Sequence, residues 1–346
     1  MANQLTYNVA VVGATGAVGQ QMIRILEERN FPVKQLKLLA SSRSAGKTVK
    51  FQGQEVVVEE ATPDSFAGVD YALFSAGGAI SKELAHHAVR HGAVVIDNTS
   101  AFRMDPEVPL VVPEVNMDAA LAHKGIIANP NCSTIQMVAA LKPLYDRYGI
   151  DRIIVSTYQA VSGAGASAIE ELLTQSRDVL DGKEPECKVL PVGKLPVHHQ
   201  IAFNAIPQID VFTENGFTFE EMKMTNETKK IFGDESVAVS ATCVRIPVVY
   251  GHSESVYVEL KQDYDLEEVK ALLEKAPGIV LVDDPENQRY PLATEATGKL
   301  DVFVGRLRRD LTHQRGLHMW IVSDNLLKGA AWNTVQIAEE LIKARA

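Results

Sequence analysis

Cys132 is the residue in this chain best suited to nucleophilic chemistry. It lies in "NPNCSTIQMVAALKPLY", residues 129–145, after a proline-bearing turn and before a run with helical periodicity. Asn131 is a good N-cap residue, and Ile135, Val138, Ala139, Leu141 and Leu144 recur at helical spacing, so Cys132 is expected to open a helix. Unpaired backbone N–H groups and the positive end of the helix dipole favour thiolate over thiol there. The same residue also fits a small buried apolar side chain, the commoner fate of a free cysteine.

A second chemical signal is "GATGAVG", residues 13–19, where Gly13, Gly16 and Gly19 form a G-x-x-G-x-x-G variant of the dinucleotide fingerprint. It follows the apolar run Val9 to Val12 and precedes an amphipathic helix, so Gly13, Thr15, Gly16, Ala17 and Val18 are candidates to cradle a pyrophosphate. The lysine and hydroxyl of a P-loop are missing, which argues against a nucleoside triphosphate. The second strand runs into "ASSRSAGK" rather than an acid, and Ser41, Arg43 and Ser44 suit the 2′-phosphate of NADP better than the ribose diol of NAD. A solvated polar turn is the other reading of that stretch.

The chain has 346 residues, 46% of them apolar and 23% charged, ordinary values for a globular protein long enough for two domains. Its 34 basic and 44 acidic residues leave a net charge of −10 with no basic run, which excludes a nucleic-acid partner. Three widely spaced cysteines, Cys132, Cys187 and Cys243, imply neither a disulfide framework nor a zinc site, and no metal is expected. Glu83, His87 and His91, spaced i, i+4, i+8, read as an exposed polar face rather than a ligand set. No signal core or membrane-length apolar stretch is visible, so a cytoplasmic location is expected.

Apolar runs at "LKLLAS", "EVVVEE", "YALFSA", "AVVIDN" and "PLVVPEV" alternate with glycines and a helical segment over 80–90. They predict a parallel sheet covered on both faces, a Rossmann-type first domain. Beyond the Cys132 helix come a strand, a glycine-rich turn and a helix, then an irregular stretch around 182–197. The long strands "SVAVSATCVRIPVVYG" and "SESVYVELKQ" follow, predicting an α+β domain with an antiparallel or mixed sheet. The expected division is residues 1–130, completed by a returning helix at 326–346, and residues 131–325.

Taken together, "GATGAVG", "SSRSAGK", "NPNCSTIQ", "STYQAVSGAG", "EEMKMTNETKKI" and "RIPVVYGHSE" resemble the aspartate-semialdehyde dehydrogenase family over most of the chain. The resemblance implies NADPH-dependent reduction of aspartyl 4-phosphate to aspartate semialdehyde through a thioester on Cys132, in a homodimer whose second domain makes the contact. It further implies that His252 is the acid/base residue and that Gln159 positions substrate or a water. By the same resemblance Arg103, Asn131 and Lys223 form the phosphate site and Arg245 grips the α-carboxylate. A glutamate beside Lys223, either Glu220 or its neighbour Glu221, meets the α-ammonium. Ser75, Ser162, Gly163 and Asn325 are implied to adjoin the cofactor.

Physical chemistry supports these types. A thiolate makes an acyl carrier, imidazole titrates near neutrality, and an arginine fork with a lysine point charge suits a phosphate that must bind and leave. Arg245 is a charge within an apolar strand, which is rare without a partner. Glu220, Lys223 and Glu227, at i, i+3 and i+7, read in isolation as a salt-bridged exposed stripe. The nearest enzymatic rival is N-acetyl-glutamyl-phosphate reductase, whose cysteine is usually preceded by glycine, where Asn131 stands here. A non-catalytic dinucleotide-binding paralogue is the rival from another class.

Overall fold

The computed structural model describes residues 5–345, which form two compact units, residues 5–131 with 330–345 and residues 132–329. In the first unit the chain runs β1 (Tyr7–Val12), α1 (Ala17–Glu28), β2 (Val33–Ala40), β3 (Thr48–Phe51), β4 (Gln54–Glu60), β5 (Tyr71–Phe74), α2 (Gly78–Arg90), β6 (Val94–Asp97), α3 (Pro113–Leu121) and β7 (Ile126–Ala128). The sheet order is β3-β4-β2-β1-β5-β6-β7, parallel except for the β3–β4 hairpin at the edge. Its central strands are apolar on both faces because helices cover both, with Val11, Val12, Leu38, Leu39, Leu73 and Phe74 fully buried.

Strand order reverses at β1, so β2 and β5 diverge on either side of it and leave a crevice beyond its carboxyl end. Gly13 enters that crevice at φ +89°, and a Cβ on it would lie 2.6 Å from the Ser75 carbonyl oxygen. Gly19 is tighter still, for its Cβ would fall 2.1 Å from the Gly13 carbonyl oxygen. Both contacts are with backbone, which cannot swing aside. Gly19→Ala is therefore expected to lower the stability of this unit by about 3 kcal/mol, read as a reduced urea midpoint of its unfolding transition.

One expected strand is absent. The run "PLVVPEV" contributes only an isolated bridge between Leu110 and Ala128, and Pro113 opens α3 at its first turn. Pro109 and Pro113 each lack an N–H and fix φ, so the three residues they bracket cannot sustain a ladder.

The second unit contains α4 (Cys132–Tyr148), β8 (Ile150–Gln159), α5 (Ala166–Leu180), α6 (Phe219–Phe232), β9 (Ala238–Arg245), β10 (His252–Leu260), α7 (Leu266–Lys275), β11 (Ile279–Leu281), α8 (Ala293–Ala296), β12 (Val302–Arg309) and β13 (Gly316–Ser323). Its mixed six-stranded sheet runs β11-β12-β13-β10-β8-β9, and α4, α6 and α7 pack on one face. On β10 the residues facing those helices are His252, Glu254, Val256, Val258 and Leu260, all buried, in the period-2 alternation of a half-covered sheet. The irregular stretch after α5 is tied down by side chains: Glu171 accepts the backbone N–H groups of Lys188, Val189 and Leu190, and Gln175 those of Ile201 and Ala202.

The chain closes with a π-helical turn (Leu327–Ala331) and α9 (Trp332–Arg345), and α9 packs on α1 and α3 of the first unit. Arg29 pairs with Glu339 at 2.9 Å and stacks its guanidinium over Trp332, while Asn333 donates to the Val111 carbonyl and to Asn129. Among the described residues no helix is long and apolar enough to cross a membrane.

Candidate active site

Two groups of functional side chains emerge, one in each unit. In the first, a pocket of about 540 Å³ is lined by Gly13, Thr15 and Gly16, by Ser41, Ser42 and Arg43, and by Ser75. Further lining comes from Glu60, Ala61, Ile80, Glu83 and Leu84. Helix α1 starts at the pocket with Gly16 as N-cap, no capping side chain and no acidic residue in its first turn. Its first N–H groups are thus left for an anion, and the side-chain-free faces of Gly13 and Gly16 give a pyrophosphate close approach. These features fit a dinucleotide. Ala17, Val18 and Ser44 stand outside the lining, with Ser44 accepting a hydrogen bond from Thr15 at 3.3 Å.

In the second unit, strand register builds the site. Gln159 on β8 is in register with Arg245 on β9, and Glu254 on β10 is opposite Thr157 on β8. His252, two residues before Glu254, therefore shares its face, and His252, Gln159 and Arg245 form one row across three adjacent strands. A second buried row behind it holds Glu254, Thr157 and Cys243. Register is what makes these rows, and register is not written in any one strand.

The Ala160 peptide groups hold two members of the first row. The Ala160 N–H donates to His252 Nδ1 at 3.0 Å, and its carbonyl accepts Arg245 Nη1 at 2.6 Å. An Nδ1 that accepts leaves the proton of the neutral ring on Nε2, and Nε2 has no partner among the described residues. Burial, then the positive charge of Arg245, hold the imidazole well below its usual pKa, so it is neutral. Arg245 is itself buried, and its Nε has no partner among the described residues. Gly163 explains why both groups remain approachable: a Cβ there would sit 3.1 Å from Arg245 Nη1 and 3.3 Å from His252 Nε2.

Glu220 answers Arg245 with opposite charge. Its carboxylate accepts Gln159 Nε2 and Lys223 Nζ, each at 3.3 Å, and Lys223 also pairs with Asp210 at 2.9 Å. The expected exposed stripe on α6 does not form, because α6 packs against β9 and α4 and buries Glu220 and Glu227. Glu221 is committed elsewhere: it closes a capping box with Thr218 and accepts the Cys243 N–H at 2.9 Å. Of the two adjacent glutamates, then, only Glu220 joins Gln159 and Lys223.

Cys132 opens α4 and is half-buried. One turn on, Gln136 donates to the His252 carbonyl at 3.3 Å and accepts Ser323 Oγ at 2.7 Å, which docks this end of α4 on the start of β10. A Cβ on Gly329 would lie 2.7 Å from the Cys132 Cβ, so glycine is what lets that backbone reach the first turn. Cys132 lies close enough to Arg245 to oppose the lowering that burial imposes on its guanidinium. Glu254 lies beside Gln136 on the same sheet face. Burial pushes its carboxyl well above the usual range, against a smaller opposing pull from Gln136.

These geometries sort the remaining expected residues. Ser162 and Asn325 hydrogen-bond to each other, and Asn325 also accepts the Gly251 N–H at 2.9 Å, so both brace the turn leading into His252. Arg103 and Asn131 belong to the first unit, where Arg103 donates to the Asn98 and Asn129 carbonyls. Residues not anticipated from sequence are Glu60, Glu83, Gln136, Ala160, Asp210 and Glu254. Asp210 carried one visible cue, a short acid suited to the left-handed backbone it adopts at φ +67°.

Comparison with known proteins bears directly on this site. The family model for the semialdehyde dehydrogenase NAD binding domain matches residues 8–123, and that for the semialdehyde dehydrogenase dimerisation domain matches residues 141–328. The chain is 61% identical over 337 residues to an aspartate-semialdehyde dehydrogenase of Bacillus subtilis (strain 168), covering 97% of each. It belongs to the aspartate-semialdehyde dehydrogenase family. Within that family it is similar to the crystal structure of aspartate semialdehyde dehydrogenase II complexed with ASA from Vibrio cholerae, with TM-score 0.94 and 51% identity over 98% of this chain and 99% of that one. It is also similar to the aspartate semialdehyde dehydrogenase with NADP from Candida albicans, with TM-score 0.74 and 27% identity over 97% and 98%. Membership agrees with the expected fold class, a parallel-sheet nucleotide-binding unit followed by a mixed-sheet unit.

Proposed function

We propose that this chain catalyses the reversible, NADPH-dependent reductive dephosphorylation of L-aspartyl 4-phosphate to L-aspartate 4-semialdehyde, as a cytoplasmic homodimer in amino-acid biosynthesis. One observation carries the reading: buried Arg245 and Glu220, of opposite charge, sit with Gln159 and His252 in the unit that Cys132 opens. A guanidinium and a carboxylate held apart match the carboxylate and ammonium of a free amino acid. An N-acetylated substrate offers no ammonium for Glu220, which disfavours the N-acetylglutamyl alternative.

In this reading the Cys132 thiolate attacks the acyl carbon, the C–S bond forms and the C–O bond to phosphate breaks, leaving a thioester. When bound, the nicotinamide supplies the hydride that reduces it. Arg245 and Glu220 orient the amino-acid head, Lys223 balances the charge of the departing phosphate, and Gln159 holds Glu220 in place. His252 Nε2–H donates to the carbonyl oxygen as negative charge builds there. The family match to a dimerisation domain supports the homodimer.

The test is a spectrophotometric assay of NADP reduction with aspartate semialdehyde and with N-acetylglutamate semialdehyde, each with and without phosphate. Only the first aldehyde with phosphate is expected to give turnover.

We further infer NADP rather than NAD as the preferred cofactor, since Arg43 and Ser41 line the pocket and β2 ends without an acid. Arg43→Glu is expected to weaken NADP about fifty-fold and NAD less than about three-fold in equilibrium titrations. Equal losses would overturn the 2′-phosphate assignment.

A further inference from the structure

The acid that β2 lacks is supplied by its neighbour. β4 pairs with β2 in parallel, Ala40 in register with Glu60, and the Ala61 N–H donates to the Ala40 carbonyl at 2.8 Å. The two strands therefore end level, and the run "EVVVEE" delivers Glu60 to the same pocket wall as Ser41, Ser42 and Arg43. Arg43 sits in the 3₁₀ turn Ser42–Ser44 that follows β2. Glu60 and Arg43 both line this pocket, and among the described residues no ion pair joins them, so the pocket wall carries a cation and an anion.

We propose that Glu60 is a specificity-determining residue that opposes the 2′-phosphate of the dinucleotide, lowering the preference for NADP over NAD. This rests on the assignment of the pocket to the adenosine end of the cofactor. A 2′-phosphate carries close to two negative charges, and at the pocket wall it meets the attraction of Arg43 and the repulsion of Glu60 together. A 2′-hydroxyl carries none and is indifferent to the second. Glu60 is exposed, so its influence is screened by water and salt and is graded rather than all-or-none. Glu83 also lines the pocket, from α2.

The experiment uses the full-length protein and calorimetric titration with NADP and with NAD. Glu60→Gln is expected to tighten NADP about five-fold while NAD changes less than two-fold, with the NADP gain shrinking as salt rises. Glu59→Gln, the same charge change one residue earlier and outside the pocket, is expected to leave the NADP/NAD ratio unchanged. An unmoved ratio in Glu60→Gln, or an equal loss for both cofactors as from a contact with the shared adenosine, overturns the proposal. Arg43→Glu separates the two levels. If it leaves NADP binding intact, the pocket assignment falls and this proposal with it. If it weakens NADP as expected but Glu60→Gln does not shift the ratio, the Glu60 proposal alone falls.

Discussion

Cys132→Ala is expected to bind NADP with wild-type affinity yet lose at least about 10⁴-fold in phosphate-dependent NADP reduction. The reaction needs an acyl carrier, and neither remaining thiol can serve. Cys243 is fully buried in the row behind the site, where burial and then the Glu220 carboxylate push its thiol far up. The Cys187 thiol is also raised, first by burial and then by Glu171 and Glu184, and it lies in the stretch pinned by α5. Cys132 opens a 17-residue helix, where the positive end of the helix dipole favours a thiolate. Two measurements check the assignment. Mass spectrometry of protein quenched with aspartyl phosphate in the absence of NADPH should find the acyl group on the peptide containing Cys132. Iodoacetamide should label Cys132 well before the other two. Turnover by Cys132→Ala within ten-fold of wild type would sink the thioester route.

What could be read from the sequence divides along physical lines. Local signals transferred well. The strand–glycine–helix opening, the helix begun by Cys132 and the returning C-terminal helix each depend on spacing within a short window, and each formed. "PLVVPEV" is apolar enough for a strand, but its two prolines forbid the ladder. Glu220 and Glu221 are told apart locally: Thr218 and Glu221 have capping-box spacing, which commits Glu221 to the helix N-terminus and releases its neighbour. Register is another matter. That His252, Gln159 and Arg245 form one row, or that Glu60 comes level with the end of β2, depends on how strands separated by tens of residues align. No single window contains that alignment. Ala160, an unremarkable residue in sequence, proves to orient both His252 and Arg245 through its backbone alone.

His252→Asn is expected to lower kcat by about 10³-fold with NADP affinity unchanged, and the pH dependence of wild type should show why. If the ring cycled as an acid and base with an ordinary pKa, activity would fall below about pH 6.5. Its Nδ1 is occupied by the Ala160 N–H, however, and burial with Arg245 beside it holds it neutral well below that point. The acid limb set by His252 should therefore lie well under 6.5, and ring-carbon NMR shifts should report a neutral Nε2–H tautomer at pH 6.5. Stability gives a second, independent reading. Between the unfolded pKa of about 6.5 and the lower folded value, the unfolded chain holds a proton that the native ring does not. This histidine then makes stability fall as pH drops, by up to about 1.4 kcal/mol per pH unit. Glu254 acts in the opposite sense, since its raised pKa makes stability fall as pH rises above the usual carboxylate range. The two groups slope stability in opposite senses, so the wild-type profile alone is uninformative. The difference between wild type and His252→Asn isolates the histidine: the variant should lose less stability than wild type when urea unfolding is compared at pH 7 and pH 5.5. A ring that titrates near 7 in the folded protein, or a variant whose profile parallels wild type, would show that the imidazole is not held neutral and restore a proton-cycling role.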